Sequence, residues 1–173
     1  QAEAMITPVA PLADLPPPGA AMGASHIITV MGKVEKAQTP ASVLDANHLR
    51  VSMDDITEIA NGFTAPAAAH IDTTLDFVRR WDRRAPLVVH CFAGISRSTA
   101  TAFMAACALN PHRTEDDIAS AIRAASPSAS PNRLIVQLAD RGLGREGGMV
   151  SAVERMGPGA AVLEGRPFHI DLE

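Results

Sequence analysis

The feature that most constrains the fold is the run PLVVHCFAGISRSTATAFMAACAL at residues 86–109. Its first part is short and continuously apolar up to His90-Cys91, which is typical of a strand covered on both faces in a parallel sheet. The alanine-rich part from Arg97 predicts a helix that ends at Asn110-Pro111. A buried strand that passes through a five-residue loop into a helix indicates one unit of an α/β domain.

The rest of the chain repeats this alternation of strands and helices. Apolar and β-branched patterns predict strands at 5–9, 26–30 and 48–53. Helical spacing predicts helices at 67–81, 114–125, 133–141 and 149–156. We therefore expect an α/β fold in which helices flank a mainly parallel central sheet of four to five strands.

The chain of 173 residues is long enough for one domain with a sizeable core. We assign residues 1–143 to this domain and expect residues 144–173 to form a C-terminal extension packed on it. The extension begins with a glycine-rich stretch, contains the short helix and ends in a segment that looks extended.

Charge and cysteine content exclude several classes of protein. A net charge of −4 argues against a nucleic-acid binder, whose surface is usually basic. Cys107 lies about 15 Å along the predicted helix from Arg97, so a disulfide with Cys91, which requires Cα atoms within about 7 Å, is excluded. Two reduced cysteines fit a cytoplasmic protein. The sequence has neither an apolar run of about 20 residues nor a recognisable leader, so we expect no membrane span and no signal peptide.

The 91–97 loop has the features of an anion site. A loop between a strand and a helix N-terminus offers unpaired backbone N–H groups and the positive end of the helix dipole. Gly94 gives the loop freedom to curl so that its amides point inward as a nest. Arg97 can grip two phosphate oxygens, and Cys91 at the base would be held as a thiolate that can attack phosphorus.

Loops that follow parallel strands meet at one edge of the sheet. We therefore expect Lys33 and Lys36, the pair Asp54-Asp55 and the 126–132 loop to lie on the rim of the 91–97 loop. Lys33 and Lys36 either steer anions or are simply solvated, and Asn132 either lines the cleft or caps its helix. The basic cluster at 79–84 precedes its strand and is expected on the opposite face as a solvated surface.

The stretch HCFAGISRS resembles the signature of the cysteine-dependent protein tyrosine phosphatases: His-Cys, five residues, Arg, then Ser or Thr. The longer run PLVVHCFAGISRSTA is most similar to the dual-specificity branch, and the resemblance covers roughly residues 26–140. It implies hydrolysis of phosphate monoesters, on phosphotyrosine or other phosphoprotein residues, through a cysteinyl-phosphate intermediate. It also implies no cofactor, and we see no spacing of metal ligands.

The resemblance assigns a role to each position. Cys91 would be the nucleophile, Arg97 would bind phosphate, Ser98 would donate to the departing sulfur, and His90 would brace the loop. The general acid would be Asp55, which lies 36 residues before Cys91 and is favoured over Asp54. The amides that would cradle a phosphate or sulfate ion belong to Phe92, Ala93, Gly94, Ile95, Ser96 and Arg97.

Several alternatives stay open. The loop interior has no lysine, which favours phosphoprotein or small phosphoester substrates over phosphoinositides. A non-catalytic phosphate-binding module, a sulfurtransferase and an arsenate reductase would share a Cys-x5-Arg loop. Cys107 is expected to be a packing thiol. Packing or surface positions are also expected for His70, His112 and His169.

Overall fold

A computed structural model of the chain describes residues 5–9, 23–32 and 37–172. Its strands pair in the order β3-β2-β4-β1-β5. They are β1 (Met5–Val9), β2 (His26–Met31), β3 (His48–Ser52), β4 (Leu87–His90) and β5 (Ile170–Asp171). The first four run parallel, and β5 is antiparallel to β1. In this order β3 and the two-residue β5 are the edge strands, and β2, β4 and β1 lie between them.

In the part of the chain that the structure describes, five helices flank this sheet, which confirms the α/β class. They are α1 (Ala68–Arg80), α2 (Arg97–Leu109), α3 (Glu115–Ala125), α4 (Arg133–Leu143) and α5 (Gly148–Met156). Each lies within two residues of its predicted bounds. A 3-10 turn at Asp45–Asn47, which the sequence did not predict, leads into β3.

Strands β2 and β4 are buried on both faces, as the continuous apolar run into Cys91 predicted for β4. Because side chains alternate along a strand, Ile28 and Val89 enter the large core beneath the helices. Ile27 and Val88 point the other way and form a small cluster with Val43. Full burial of an isoleucine or valine side chain stabilises the fold by about 1.5–3 kcal/mol, so both faces contribute to holding β4 in place.

Side-chain caps set the start of two helices. The Thr114 hydroxyl accepts a bond from the Asp117 amide at 3.1 Å and caps α3, as predicted. The Asn132 side-chain oxygen accepts from the Ile135 amide at 3.0 Å and caps α4. These bonds satisfy amides that a helix start leaves without partners.

The topology brings the predicted site loops to one edge. The 91–97 loop follows β4, and Asp54-Asp55 follows β3, so both leave the carboxyl ends of parallel strands. The basic cluster at 79–84 precedes β4 and therefore lies at the opposite end. Lys33, Lys36 and the predicted loop at 11–19 lie outside the described residues.

The C-terminal part of the chain packs on the helices. Helix α5 contacts α3 and α4. Residues 157–169 follow it without regular secondary structure, in agreement with the extended segment that was predicted, and lead to β5. Within the described ranges, no helix combines the length and the apolar character needed to cross a bilayer.

Candidate active site

The loop from β4 to α2 curls around the Cys91 sulfur. Gly94 lies in the left-handed region, with φ of +71°, a conformation that glycine adopts without strain. The Gly94 amide donates to Cys91 Sγ at 3.3 Å. Helix α2 begins at Arg97, so its first amides also face this loop. Among the loop amides, that of Gly94 therefore points inward at the sulfur.

A hydroxyl lies beside the sulfur. Cys91 Sγ and Ser98 Oγ are 3.1 Å apart, within hydrogen-bond distance for sulfur. Both residues are buried, with Cys91 2% exposed and Ser98 fully covered. Cys91 therefore lies at the base of the loop, while Phe92 is 66% exposed at its mouth.

The outer side of the loop is fixed by the segment before α4. The Ser130 amide donates to the Ile95 carbonyl at 2.9 Å, and the Asn132 amide donates to the Ser96 carbonyl at 3.1 Å. Backbone bonds of this kind hold the loop in one shape without using the inward amides. The 126–132 loop thus reaches the rim where the sequence placed it.

Arg97 connects the loop to the neighbouring strand. Its Nη1 donates to the Met53 carbonyl at 3.0 Å, just past the end of β3. Its Nε is buried and has no hydrogen-bond partner among the described residues. Since a buried unpaired donor costs about 1–3 kcal/mol, this atom is set up to donate to an anion.

The two adjacent acids after β3 have different neighbours. Asp55 Oδ1 accepts from Ser96 Oγ at 2.7 Å and from Asn132 Nδ2 at 2.8 Å, so this carboxylate reaches the 91–97 loop. Asp54 Oδ2 instead accepts from the Thr64 amide at 2.8 Å and holds the turn at 61–66. The structure therefore brings Asp55, and not Asp54, against the loop.

Asn132 does both things that the sequence left open. Its oxygen caps α4, and its amide nitrogen donates to Asp55 Oδ1 at 2.8 Å. Asn132 is 4% exposed, so its side chain is held in place by its surroundings. The same residue that caps α4 therefore also orients the Asp55 carboxylate. The capping signal was visible in the sequence, whereas the bond to Asp55 joins residues 77 positions apart.

A buried polar chain backs the loop, and the sequence did not reveal it. Thr29 Oγ1 on β2 contacts Nε2 of His90 and lies 2.7 Å from Nε2 of His48. Burial lowers the pKa of His90 to about 3 and of His48 to about 4, so both rings are neutral near pH 7. The sequence contained one signal of this chain, namely the polar residues Thr29 and His90 within two otherwise apolar strands.

A cavity of about 590 Å³ opens beside Asp55. It runs from the 91–97 loop at Ser96 to helix α5 and the residues that follow it. Its polar and charged lining consists of Asp55, Thr57, Ser96, Ser130, Asn132, Arg133 and Glu154. No group of three or more potential metal ligands occurs in the part of the chain described.

The comparisons with known proteins agree with this arrangement. Residues 61–127 match the family model described as protein-tyrosine phosphatase. The fold is similar to human DUSP28, with a TM-score of 0.57, 18% identity, and coverage of 78% of this chain and 84% of that one. It is similar to DUSP15, with a TM-score of 0.57, 22% identity, and coverage of 86% and 88%.

A third solved structure with this fold is a complex with a phosphoinositide. The structure of PTPMT1 in complex with PI(5)P gives a TM-score of 0.57 at 16% identity, covering 79% of this chain and 88% of that one. No curated protein sequence matches the chain.

Proposed function

We propose that this chain is a member of the cysteine-dependent protein tyrosine phosphatase superfamily, in the dual-specificity-like branch, and that it hydrolyses phosphate monoesters through a cysteinyl-phosphate intermediate. One observation carries the proposal. The loop that curls around Cys91 Sγ also receives the Asp55 carboxylate, through Ser96. A nucleophile, an anion nest and a proton donor then share one edge of the sheet.

In the proposed complex, the phosphoryl group lies in the 91–97 loop. The amides of the loop residues and the free Nε of Arg97 would donate to its oxygens. A bidentate guanidinium and a ring of amides stabilise the charge that spreads over these oxygens in the transition state. A phosphate or sulfate ion would occupy the same place.

In the first step, the Cys91 thiolate attacks phosphorus and an S–P bond forms. The bond from phosphorus to the ester oxygen breaks, and its electron pair stays on that oxygen. Asp55, as a carboxylic acid, gives its proton to the leaving oxygen. The bonds from Ser96 and Asn132 orient the carboxyl group for this transfer.

In the second step, a water molecule attacks phosphorus and the S–P bond breaks. The Asp55 carboxylate takes a proton from this water, and inorganic phosphate is released. Ser98, 3.1 Å from the sulfur, donates its hydroxyl to the departing thiolate. His90 takes no part in the proton transfers, but its bond to Thr29 braces the strand end that carries Cys91.

The cavity beside Asp55 indicates where the rest of the substrate lies. Because the acid protonates the leaving oxygen, the leaving group departs on the Asp55 side. The lining there combines Arg133 with Glu154, which suits a polar, hydrogen-bonding group. Together with a loop interior free of lysine, this supports phosphoprotein substrates, with a small non-protein phosphoester as the alternative.

The test is hydrolysis of p-nitrophenyl phosphate by the wild-type protein beside Cys91→Ser, under reducing and mildly acidic conditions. We expect turnover by the first and none by the second. Wild-type protein that binds phosphate but releases no nitrophenol would support the phosphate-binding module instead. Phosphopeptides, nucleotides and phosphoinositides assayed in parallel would then separate the substrate classes.

We also propose that residues 1–143 form the catalytic domain and that 144–173 form an extension that packs on it in the cytoplasmic protein. The packing of α5 on α3 and α4 supports an extension that lies against the catalytic domain. The free state of both cysteines supports a cytoplasmic location.

A further inference from the structure

The 157–169 segment, here called the strap, crosses the outer side of the 91–97 loop. At its start, the Gly157 carbonyl accepts from Arg123 Nη2 at 2.8 Å, and the Ala160 amide donates to the Pro127 carbonyl at 2.9 Å. At its end, Phe168 is buried, and β5 pairs with β1. The strap is therefore anchored on both sides of the loop.

Between these anchors, the strap bonds directly to the loop. The Gly165 amide donates to the Ala93 carbonyl at 2.8 Å. This carbonyl belongs to the same peptide unit as the Gly94 amide, which donates to Cys91 Sγ at 3.3 Å. Because a trans peptide is planar and rigid, a bond to its oxygen also fixes the direction of its N–H.

The approach is so close that only glycine fits. A Cβ placed on Gly165 would lie 2.5 Å from the Gly94 carbonyl oxygen and 3.1 Å from its carbon. Both atoms are backbone, so the clash cannot be relieved by turning a side chain. Any larger residue would push the strap and the loop apart.

We infer that the strap orients the Ala93–Gly94 peptide so that its N–H points at the sulfur and at a bound phosphoryl group. Gly165 is then a positioning residue that acts through this peptide. The bond to the carbonyl also polarises the unit and strengthens its N–H as a donor. This inference rests on the proposed function, and it gives the extension a role in anion binding.

The matched pair of variants is Gly165→Ala and Gly142→Ala. In α4, a Cβ on Gly142 would meet Ile71 and Leu75 at 3.7 Å, an ordinary contact. Losing one well-directed donor weakens anion binding by about tenfold. We expect Gly165→Ala to raise the dissociation constant for inorganic phosphate, measured by calorimetry, and to lower kcat/KM by about this factor. Gly142→Ala should stay within twofold of wild type in both.

A purely structural strap would lower Tm in Gly165→Ala without changing the phosphate affinity of the folded fraction. Phosphate affinity within twofold of wild type would overturn the inference. If wild-type protein binds phosphate but turns over no substrate, the proposed function fails, yet the affinities of the two variants still decide the role of the strap.

A second measurement needs no variant. Because coupling is reciprocal, phosphate bound in the loop should protect the Gly165 amide from hydrogen exchange. We expect exchange in a peptide spanning 160–168 to slow several-fold at saturating phosphate. Protection of the 91–97 loop with no change in the strap would contradict the coupling, even if Gly165→Ala does not fold.

Discussion

The molecule contains two buried cysteines whose surroundings differ. Cys91 is 2% exposed and Cys107 is 1% exposed, so burial does not separate them. Cys91 Sγ lies 3.1 Å from a hydroxyl and accepts a backbone amide. Cys107 lies near the C-terminal end of α2, where burial raises its pKa to about 12 despite the nearby Arg145. The two thiols therefore differ in the groups that lie within hydrogen-bond distance of each sulfur, and not in their exposed fraction.

The largest expected effect comes from replacing each cysteine in turn. Cys91→Ser should lose about 10⁴-fold or more in kcat, because the step that forms the covalent intermediate disappears. Cys107→Ala should keep kcat within about threefold and lose about 1 kcal/mol of unfolding free energy. Steady-state assays and urea titrations of both variants measure this. An inactive but folded Cys107→Ala protein would break the comparison.

Asp54 and Asp55 form a second pair of like residues with different neighbours. Asp55→Asn should lower kcat about 10²–10⁴-fold, because the group that reaches the loop can no longer supply a proton. Asp54→Ala should remove only the bond to Thr64 and cost about 1 kcal/mol of unfolding free energy. Activity assays at several pH values separate the two. Equal losses of activity in both would contradict the assignment of Asp55.

Alkylation would sharpen the contrast between the thiols directly. Iodoacetate should label Cys91 at least about 100-fold faster than Cys107 in native protein, since only a thiolate is nucleophilic. Mass spectrometry of peptides reports each site, and urea should bring the rates together. Phosphate should slow labelling of Cys91.

Hydrogen peroxide should likewise inactivate the protein reversibly, because a thiolate oxidises readily. Full activity after peroxide treatment without added thiol would contradict this prediction.

The last test concerns the pH dependence of stability and the two histidines behind Cys91, which have no counterpart near Cys107. His48 and His90 have pKa values lowered to about 4 and 3, chiefly by burial. As pH falls below about 6.5, the unfolded chain takes up these protons first, so stability is lost by at most about 1.4 kcal/mol per pH unit for each ring, and by less for His48, which solvent screens in part. His48→Gln should lower this slope by up to half between about pH 6.5 and 4 in urea titrations. A wild-type protein equally stable at pH 4.5 and 7 would contradict it.

The sequence predicted most of the regular structure because local patterns specify it. The apolar run into Cys91, the cap at Thr114 and the break at Asn110-Pro111 are short-range signals, and their elements appear where expected. The loop geometry around Gly94 was predictable for the same reason. The order of the strands in the sheet depends on contacts between distant segments, which no local pattern specifies.

What the sequence did not predict consists of long-range contacts. The segment that contains Gly165 is irregular, and nothing in its composition indicates that it crosses the loop at Ala93. The bond between Asn132 and Asp55 and the contact of Thr29 with two histidines likewise join residues that are far apart in the chain. Such contacts are decided by how the elements pack.

The chain of hydroxyls and rings behind Cys91 has one more consequence. Thr29 has a single proton to give, so it donates to Nε2 of one ring and accepts from Nε2 of the other. Since both rings are neutral, His48 and His90 hold opposite tautomers and must change together. His48 Nδ1 lies 2.7 Å from Thr39 Oγ1, which also accepts from Arg50. The tautomer of the His90 ring is therefore coupled, through Thr29 and His48, to the hydrogen bond at Thr39, and no net charge enters the core.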